Sequence, residues 1–542
     1  MKKRLSTVDW AFLQAETPSK MAHVAGLWVF SLPKGYRKNF WQEFINSLSD
    51  ARSVTPPFNY KLTGGLELPA WTIDEAFDLD NHVHFAALPK PGSTRHLLEM
   101  VSRIHSHRLD RSRPLWECYL IEGIAGRRVA IYFKVHHALL DGVATMEYLV
   151  HSLLKTPGEQ AATAFWQPPV KKKIADASTG LFQRLGKISA GLVDQARTLP
   201  ELSATLAQEG LKVLGLRENS GKAPFTAPRT PLGRSITKSR KLGVKSFSLS
   251  RIRQLGKETG CTVNDLVLAM SAGALRMYFL GSGELPGKPL TAWVPVSLRS
   301  GDAEETGNRV SVMVCSLATD VELAGERLEI IKSSIRSAKD QLKGQSARTS
   351  DNYTQLLSGL VVLTQALGIA DRVAPAANVV ISNVPGSRDL RYLNGAKLVE
   401  QYPMSMLIDG QALNITVTSH DDRLDFGLLA CPGAVPEPQN LADFLESALE
   451  ELENAPLVSE GAGSKDMTSK KTTRKKKLTK KTLTKKVLTK KSSSKKPVSM
   501  SSYAQLVASL SAIPGEALNK LAAGEELSKR AVSELQKVLN RL

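Results

Sequence analysis

The alternation of apolar and polar positions along the chain predicts a mixed α/β protein. Ala25–Leu32 (AGLWVFSL) and Arg128–His136 (RVAIYFKVH) are short β-prone runs and read as strands. Leu97, Leu98, Val101 and Ile104 recur at helical spacing within Arg95–His107, and Met146, Leu149, Val150, Leu153 and Leu154 do the same further on. A second mixed region begins at Leu242. There Lys245–Leu249 reads as a strand and Asn264–Phe279 as an apolar helix, with Thr262, three residues before Asp265, as its N-cap. Further strands are predicted at Thr291–Val296, Val310–Leu317, Asn378–Ser382, Gln411–Ser419 and Arg423–Ala430. The two regions match in size and style but show no clean repeat.

The pattern therefore divides the chain. Residues 1–155 form an N-terminal lobe and 242–456 a C-terminal lobe. Between them, 156–241 is a crossover rich in Pro, Gly and Lys, with a helix-like stretch at Leu181–Leu216. Residues 457–497 are of low complexity, with Lys-Lys pairs every five residues through LTKKTLTKKVLTKK. Like charges at that density repel and cannot bury a core, so disorder is expected there. Residues 498–542 are helix-prone, and Leu527, Ala531, Leu535, Val538, Leu539 and Leu542 form one apolar stripe. Tyr353–Ala370 carries no charge and reaches spanning length, but its glutamines and glycines make it a buried or interfacial helix. The opening MKKRLSTVDW has no apolar core, so no signal peptide is expected.

Composition sharpens this picture. With 42% apolar and 23% charged residues among 542, the chain is neither wholly disordered nor a small disulfide scaffold. A net charge of +20 points to an anionic partner. Yet Ser464–Pro497 holds 15 Lys or Arg against one acid, a net of +14, which leaves +6 on everything else. The charge describes an appendage. Cys118, Cys261, Cys315 and Cys431 lie far apart without a CxxC pair, and read as free thiols in a reducing compartment.

The sharpest chemical feature is VHHALLDGVA, where a strand hands over to a helix and presents His136, His137, Asp141 and Gly142. Successive strand residues face opposite sides, so one histidine at most points into a given cleft. An imidazole titrates near neutrality and can take a hydroxyl proton and return it. Asp141 is placed to brace the loop through an ion pair, and Gly142 lets backbone or ligand approach closely. No third metal ligand stands at a familiar spacing, so no metal is assigned.

HHxxxDG resembles the active-site motif of CoA-dependent acyltransferases related to chloramphenicol acetyltransferase. Upstream, LDRSRPLWE (Leu109–Glu117) resembles the PLW motif of one branch, the bacterial bifunctional wax ester synthase/acyl-CoA:diacylglycerol acyltransferase family. Other segments are similar to that family's remaining blocks: LSTVDWAFLQAET (Leu5–Thr17), TVNDLVLA (Thr262–Ala269), VPVSLRS (Val294–Ser300), GNRVSVM (Gly307–Met313) and ISNVPGS (Ile381–Ser387). The resemblance runs in order from about Leu5 to Pro456. One departure is Thr230–Ile236, where Gly233 stands in place of the family's usual asparagine. Residues past about 457 are an addition, and DFGLL (Asp425–Leu429) is only faintly similar to the plant enzymes' DFGWG.

The resemblance implies two chloramphenicol-acetyltransferase-like α/β lobes with mixed sheets and a tunnel between them. It implies transfer of a fatty acyl group from acyl-CoA, a substrate rather than a cofactor, to a long-chain alcohol or a diacylglycerol. By the same resemblance His137 is the general base, His136 supports it, and Asp141 pairs with an arginine, for which Arg299 is the candidate. Gly142 gives the acyl-CoA room. Pro114, Leu115 and Trp116 are structural or line the channel, and Asn264 and Asp265 open a helix near the site. Ser382 and Asn383 contact the developing oxyanion. Asn264–Phe279 and Tyr353–Ala370 are candidate channel walls. A non-catalytic acyl-binding protein of the same fold is the alternative, while the lack of adjacent carrier domains argues against peptide-synthetase condensation. The Lys-rich arm and last helix are expected to hold a cytoplasmic enzyme peripherally at the inner membrane or lipid inclusions. Nucleic acid is the rival partner, disfavoured because the arm has no aromatic residue to stack on bases.

Overall fold

A computed structural model describes residues 2–158, 164–167, 227–298, 309–343 and 370–455, apart from 6, 37–38, 49–51, 64–69, 141, 372–373 and 385; Val361 and Gln365 are described besides. The Leu181–Leu216 stretch, the Lys-rich arm, the last helix and most of Tyr353–Ala370 lie outside the described residues.

Two six-stranded mixed sheets carry the architecture. The first has the order β12 (Tyr392–Leu393), β13 (Ala396–Met404), β2 (His23–Ser31), β7 (Arg128–His136), β6 (Trp116–Ile124) and β5 (Val83–Ala87). Its neighbours are antiparallel except β5 and β6, which are parallel. The second has the order β10 (Arg309–Ser316), β9 (Thr291–Leu298), β11 (Val379–Val384), β14 (Leu413–His420), β15 (Arg423–Ala430) and β8 (Lys241–Ser248), parallel only where β11 meets β9 and β14. A small antiparallel sheet joins β1 (Lys2–Arg4), β4 (Ala70–Ile73) and β3 (Tyr60–Leu62).

Alternation along the first sheet sorts its side chains. One face sends Trp28, Phe30, Trp116, Ile131, Phe133 and Val135 into an aromatic core with Phe40, Trp41 and Phe44 of helix α2 (Phe40–Ser47). The opposite face presents Ala25, Leu27, Val29, Ala130 and Tyr132 to Leu97, Leu98 and Val101 of α3 (Thr94–His105). That cluster continues into the second sheet and its helices, α5 (Leu249–Thr259), α6 (Val263–Gly281), α7 (Ala324–Lys343) and α8 (Pro438–Glu453). Helix α4 (Gly142–Ser152) follows the histidine motif directly, and α1 (Thr7–Ala15) precedes β2 near the start of the chain.

The sheets do not follow the chain halves. Residues 392–404 come from the C-terminal half, yet they extend the first sheet through β12 and β13. β13 also crosses the second sheet: the Gln401 N–H donates to Asp425 Oδ2 at 2.7 Å. At Gly427 a Cβ would fall 2.1 Å from the Pro403 carbonyl oxygen, so only glycine allows this crossing.

Thr262 caps α6 as its spacing predicts. Its hydroxyl accepts from the Asp265 N–H at 3.2 Å, and Asp265 Oδ2 accepts from the Thr262 N–H at 2.9 Å, a complete capping box. This helix is also the one described helix long and apolar enough to span a membrane, but 67% of that window is buried inside the protein. Its inner face lies in the core: Leu266, Leu268, Ala272 and Leu275 are all fully enclosed, and Gly273 packs directly on Ala448 of α8.

Candidate active site

β7 ends on His136, and the chain turns immediately after it. Two backbone hydrogen bonds pin the pair: His136 N–H donates to the Leu115 carbonyl at 2.9 Å, and His137 N–H to the Ala22 carbonyl at 2.8 Å. The turn closes as Leu139 N–H donates back to the His136 carbonyl at 2.9 Å. The side chains then part, as expected where a strand ends. His136 is 1% exposed, whereas His137 is half-buried and stacks on the Phe12 ring with centroids 4.4 Å apart and planes 25° apart.

Beside His136 lies an ion pair whose carboxylate, Glu16, is buried while its partner Arg111 reaches solvent. Glu16 Oε2 accepts from Arg111 Nη2 at 2.9 Å and Nε at 3.2 Å, and Arg111 Nη2 also donates to the Leu13 carbonyl at 2.6 Å. Glu16 Oε1 accepts from the Ala22 N–H at 3.3 Å and stands 3.8 Å from His136 Nε2. Because Ala138 N–H donates to His136 Nδ1 at 3.1 Å, the ring proton resides on Nε2, facing that carboxylate. Burial drives the His136 pKa down to about 3, with Arg111 and His137 adding to the effect. His136 is therefore neutral near pH 7, and its contact with Glu16 is dipolar rather than an ion pair. Phe12, Glu16 and Arg111 escape the sequence analysis as individual residues. The available signal was that Glu16 sits in the first family-like block and Arg111 in the PLW block.

His136 belongs to a larger set of buried neutral imidazoles. His23 lies opposite it in register on β2 and donates from Nε2 to the His105 carbonyl at 3.0 Å. His105 is hydrogen-bonded through Nδ1 to the Tyr132 hydroxyl at 2.7 Å. Burial holds the pKa of both well below the usual imidazole value. In the unfolded chain each histidine binds a proton below about pH 6.5, while the folded forms do not. The unfolded state then binds more protons, so stability falls as pH drops from 6.5 towards the folded pKa values. The expected slope is up to about 1.4 kcal/mol per pH unit for each histidine, or about 4 for the three. Urea unfolding at pH 7.5 and 5.5 checks this, and equal stability at both would refute the neutral assignments.

The PLW residues act from behind the site. Pro114, Leu115 and Trp116 are all buried, and Leu115 offers the carbonyl that holds His136. Trp116 donates from Nε1 to the Phe58 carbonyl at 2.7 Å and stacks on His82 at 4.7 Å. Asn264 is half-buried, and Asp265 devotes its carboxylate to Thr262 at the head of α6. Ser382 and Asn383 sit half-buried on β11, paired with Thr416 and Val417 of β14. At Gly142 an added Cβ would meet open space, so packing does not require glycine there. Asp141 and Arg299 lie outside the described residues. Asp425 of DFGLL is fully enclosed and accepts from Gln401 N–H and the Ser246 hydroxyl, a link between β13 and the second sheet.

Comparisons with known proteins identify the family. The family models for the wax ester synthase/diacylglycerol acyltransferase catalytic domain and C-terminal domain match residues 5–267 and 306–453. The O-acyltransferase WSD of Acinetobacter baylyi is 40% identical over 452 residues, covering 83% of this chain and 96% of that protein. The structure of the wax ester synthase/diacylglycerol acyltransferase from Marinobacter aquaeolei VT8 superposes with a TM-score of 0.66 at 37% identity, over 83% of this chain and 99% of the other. The first condensation domain of the CDA synthetase shares the fold, with a TM-score of 0.50 at 16% identity over 85% and 99% of the two chains. The chain belongs to the wax ester synthase/diacylglycerol acyltransferase family of O-acyltransferases.

Proposed function

We propose that the protein transfers a fatty acyl group from acyl-CoA directly to the hydroxyl of a long-chain alcohol or a diacylglycerol, with His137 as general base. The observation that carries this reading is the division of labour in the histidine pair. His136 is buried and neutral, while His137 is half-buried and held by its backbone at the strand end. His137 takes the hydroxyl proton as the oxygen attacks the thioester carbonyl. The tetrahedral oxyanion collapses, the carbon–sulfur bond breaks, and the CoA thiolate takes the proton back from the imidazolium. Ser382 and Asn383 are the proposed donors to the oxyanion, and the Asp141–Arg299 pair is the proposed brace of the loop. The chemistry draws on no cofactor, since acyl-CoA is a substrate. Purified protein with palmitoyl-CoA and either hexadecanol or a diacylglycerol, followed by CoA release, tests the activity and ranks the acceptors. Binding of palmitoyl-CoA without release in either case favours the acyl-binding alternative.

The arm sets location in this reading. Fifteen Lys or Arg in Ser464–Pro497, followed by an amphipathic stretch, suit an anionic membrane or lipid-inclusion surface on the cytoplasmic side. The full chain is expected to float with anionic liposomes at low salt and to be released as salt rises, whereas a chain ending at Pro456 stays behind. Equal flotation of both chains, or retardation of DNA in preference to liposomes at matched salt, contradicts the assignment.

A further inference from the structure

One helix face addresses both histidines. Phe12 lies in α1, and Glu16 follows four residues later, with its N–H still donating to the Phe12 carbonyl at 3.2 Å in helical fashion. Residues four apart share a face. That face lays the Phe12 ring on His137 and sets the Glu16 carboxylate beside His136. The helix is itself anchored: Leu13 is buried with Leu109, Leu115, Trp71 and Ala138, and its carbonyl accepts from Arg111. The ring on His137 is therefore held by packing rather than resting there as a mobile surface side chain.

We propose that Phe12 is a positioning residue for the transfer step: its ring face fixes the His137 imidazole and stabilises the imidazolium that forms when His137 takes the acceptor's proton. An aromatic face carries negative electrostatic potential, and a cation within about 6 Å of the ring centroid is attracted to it. The separation here is 4.4 Å with nearly parallel planes. The neutral imidazole gains less from this contact than the imidazolium does, so the stabilisation grows as the proton moves. Such differential binding lowers the barrier rather than only tightening the ground state. Phe12 also covers part of the ring, which restricts His137 to orientations compatible with the stack. The inference rests on His137 being the general base.

Among the described residues, the charged or titratable groups shown beside the histidine pair include the Glu16–Arg111 ion pair, and His136 itself adjoins His137. All are retained when Phe12 alone is changed, so a shift in the profile reads the ring. The experiment compares Phe12→Leu, which keeps apolar bulk, with Phe12→Trp, which keeps an aromatic face, in the full chain. The pH dependence of kcat/KM with palmitoyl-CoA and an alcohol is measured for each. Wild type is expected to show an acid limb from His137. In Phe12→Leu that limb moves to lower pH by about half to one unit, and the plateau drops about three- to tenfold. In Phe12→Trp both stay within about twofold of wild type. An acid limb unmoved in Phe12→Leu overturns the proposal, whatever the plateau does, because a purely structural role lowers the rate without moving the limb. Absence of any acid limb in wild type overturns the general-base reading beneath it.

Discussion

His137→Ala is expected to lower ester formation by about 10² to 10⁴ while leaving a folded protein, because it removes the proposed general base. The backbone explains why the fold survives. Alanine keeps the N–H that donates to the Ala22 carbonyl, so the turn after β7 stays pinned. The side chain is half-buried and its described ring contact is the stack on Phe12, worth about 1 kcal/mol. His136→Ala is the instructive contrast. It empties an enclosed site and strands the Ala138 N–H that now reaches Nδ1. It should therefore lose stability together with activity. CoA release and thermal unfolding measured on both variants separate the roles. Near wild-type turnover in folded His137→Ala would contradict the assignment.

Trp116→Ala is expected to destabilise the protein by about 3–5 kcal/mol, the cost of emptying a large, fully enclosed aromatic site. The indole is completely buried and packs against His82, Phe58, Phe133 and Trp166. Its loss leaves the Phe58 carbonyl without the indole N–H. Damage should reach the histidines too, because Trp116 opens β6 directly after Leu115, whose carbonyl holds His136. Trp116→Phe, which keeps most of the volume, should lose less. If Trp116→Ala instead kept its stability and changed acyl-chain preference, the residue would be a channel wall and this account of the PLW motif would fail.

How far the sequence reveals the fold depends on where each element gets its stability. Arg128–His136 and Arg423–Ala430 are read from the sequence with the bounds they have in the structure, because short, mostly apolar runs stop at turn residues. The head of α6 is equally legible, since a capping box is local chemistry. β13 is not. AKLVEQYPM mixes Lys, Glu, Gln and Pro with its apolar residues, and it becomes a strand because it pairs with β12 and β2 in the first sheet and touches β15 of the second. There Glu400 meets Arg128 at 3.4 Å and the Gln401 N–H meets Asp425. Tertiary partners satisfy polar groups that local pattern counts against a strand.

The candidate site divides the same way. The histidine pair is visible in sequence because its chemistry and its strand-to-helix position are contiguous. The Glu16–Arg111 pair joins residues 95 positions apart, and no periodicity links them. The glutamate also looks like an ordinary polar residue at the end of a short helix until the fold buries it at 2% side-chain exposure. The Phe12 stack on His137 has the same character. An aromatic on a short apolar helix reads as core, and only the geometry shows which ring it covers.

Direct transfer governed by one histidine is the central claim, and the fate of a labelled acyl chain tests it most directly. Purified protein is given palmitoyl-CoA labelled in the acyl group, first alone and then with hexadecanol or a diacylglycerol, and label is followed in protein and in ester. The account predicts no labelled protein and no CoA release without acceptor, then one CoA per ester formed once acceptor is added. Label held covalently on the protein, or no ester with either acceptor, would contradict it.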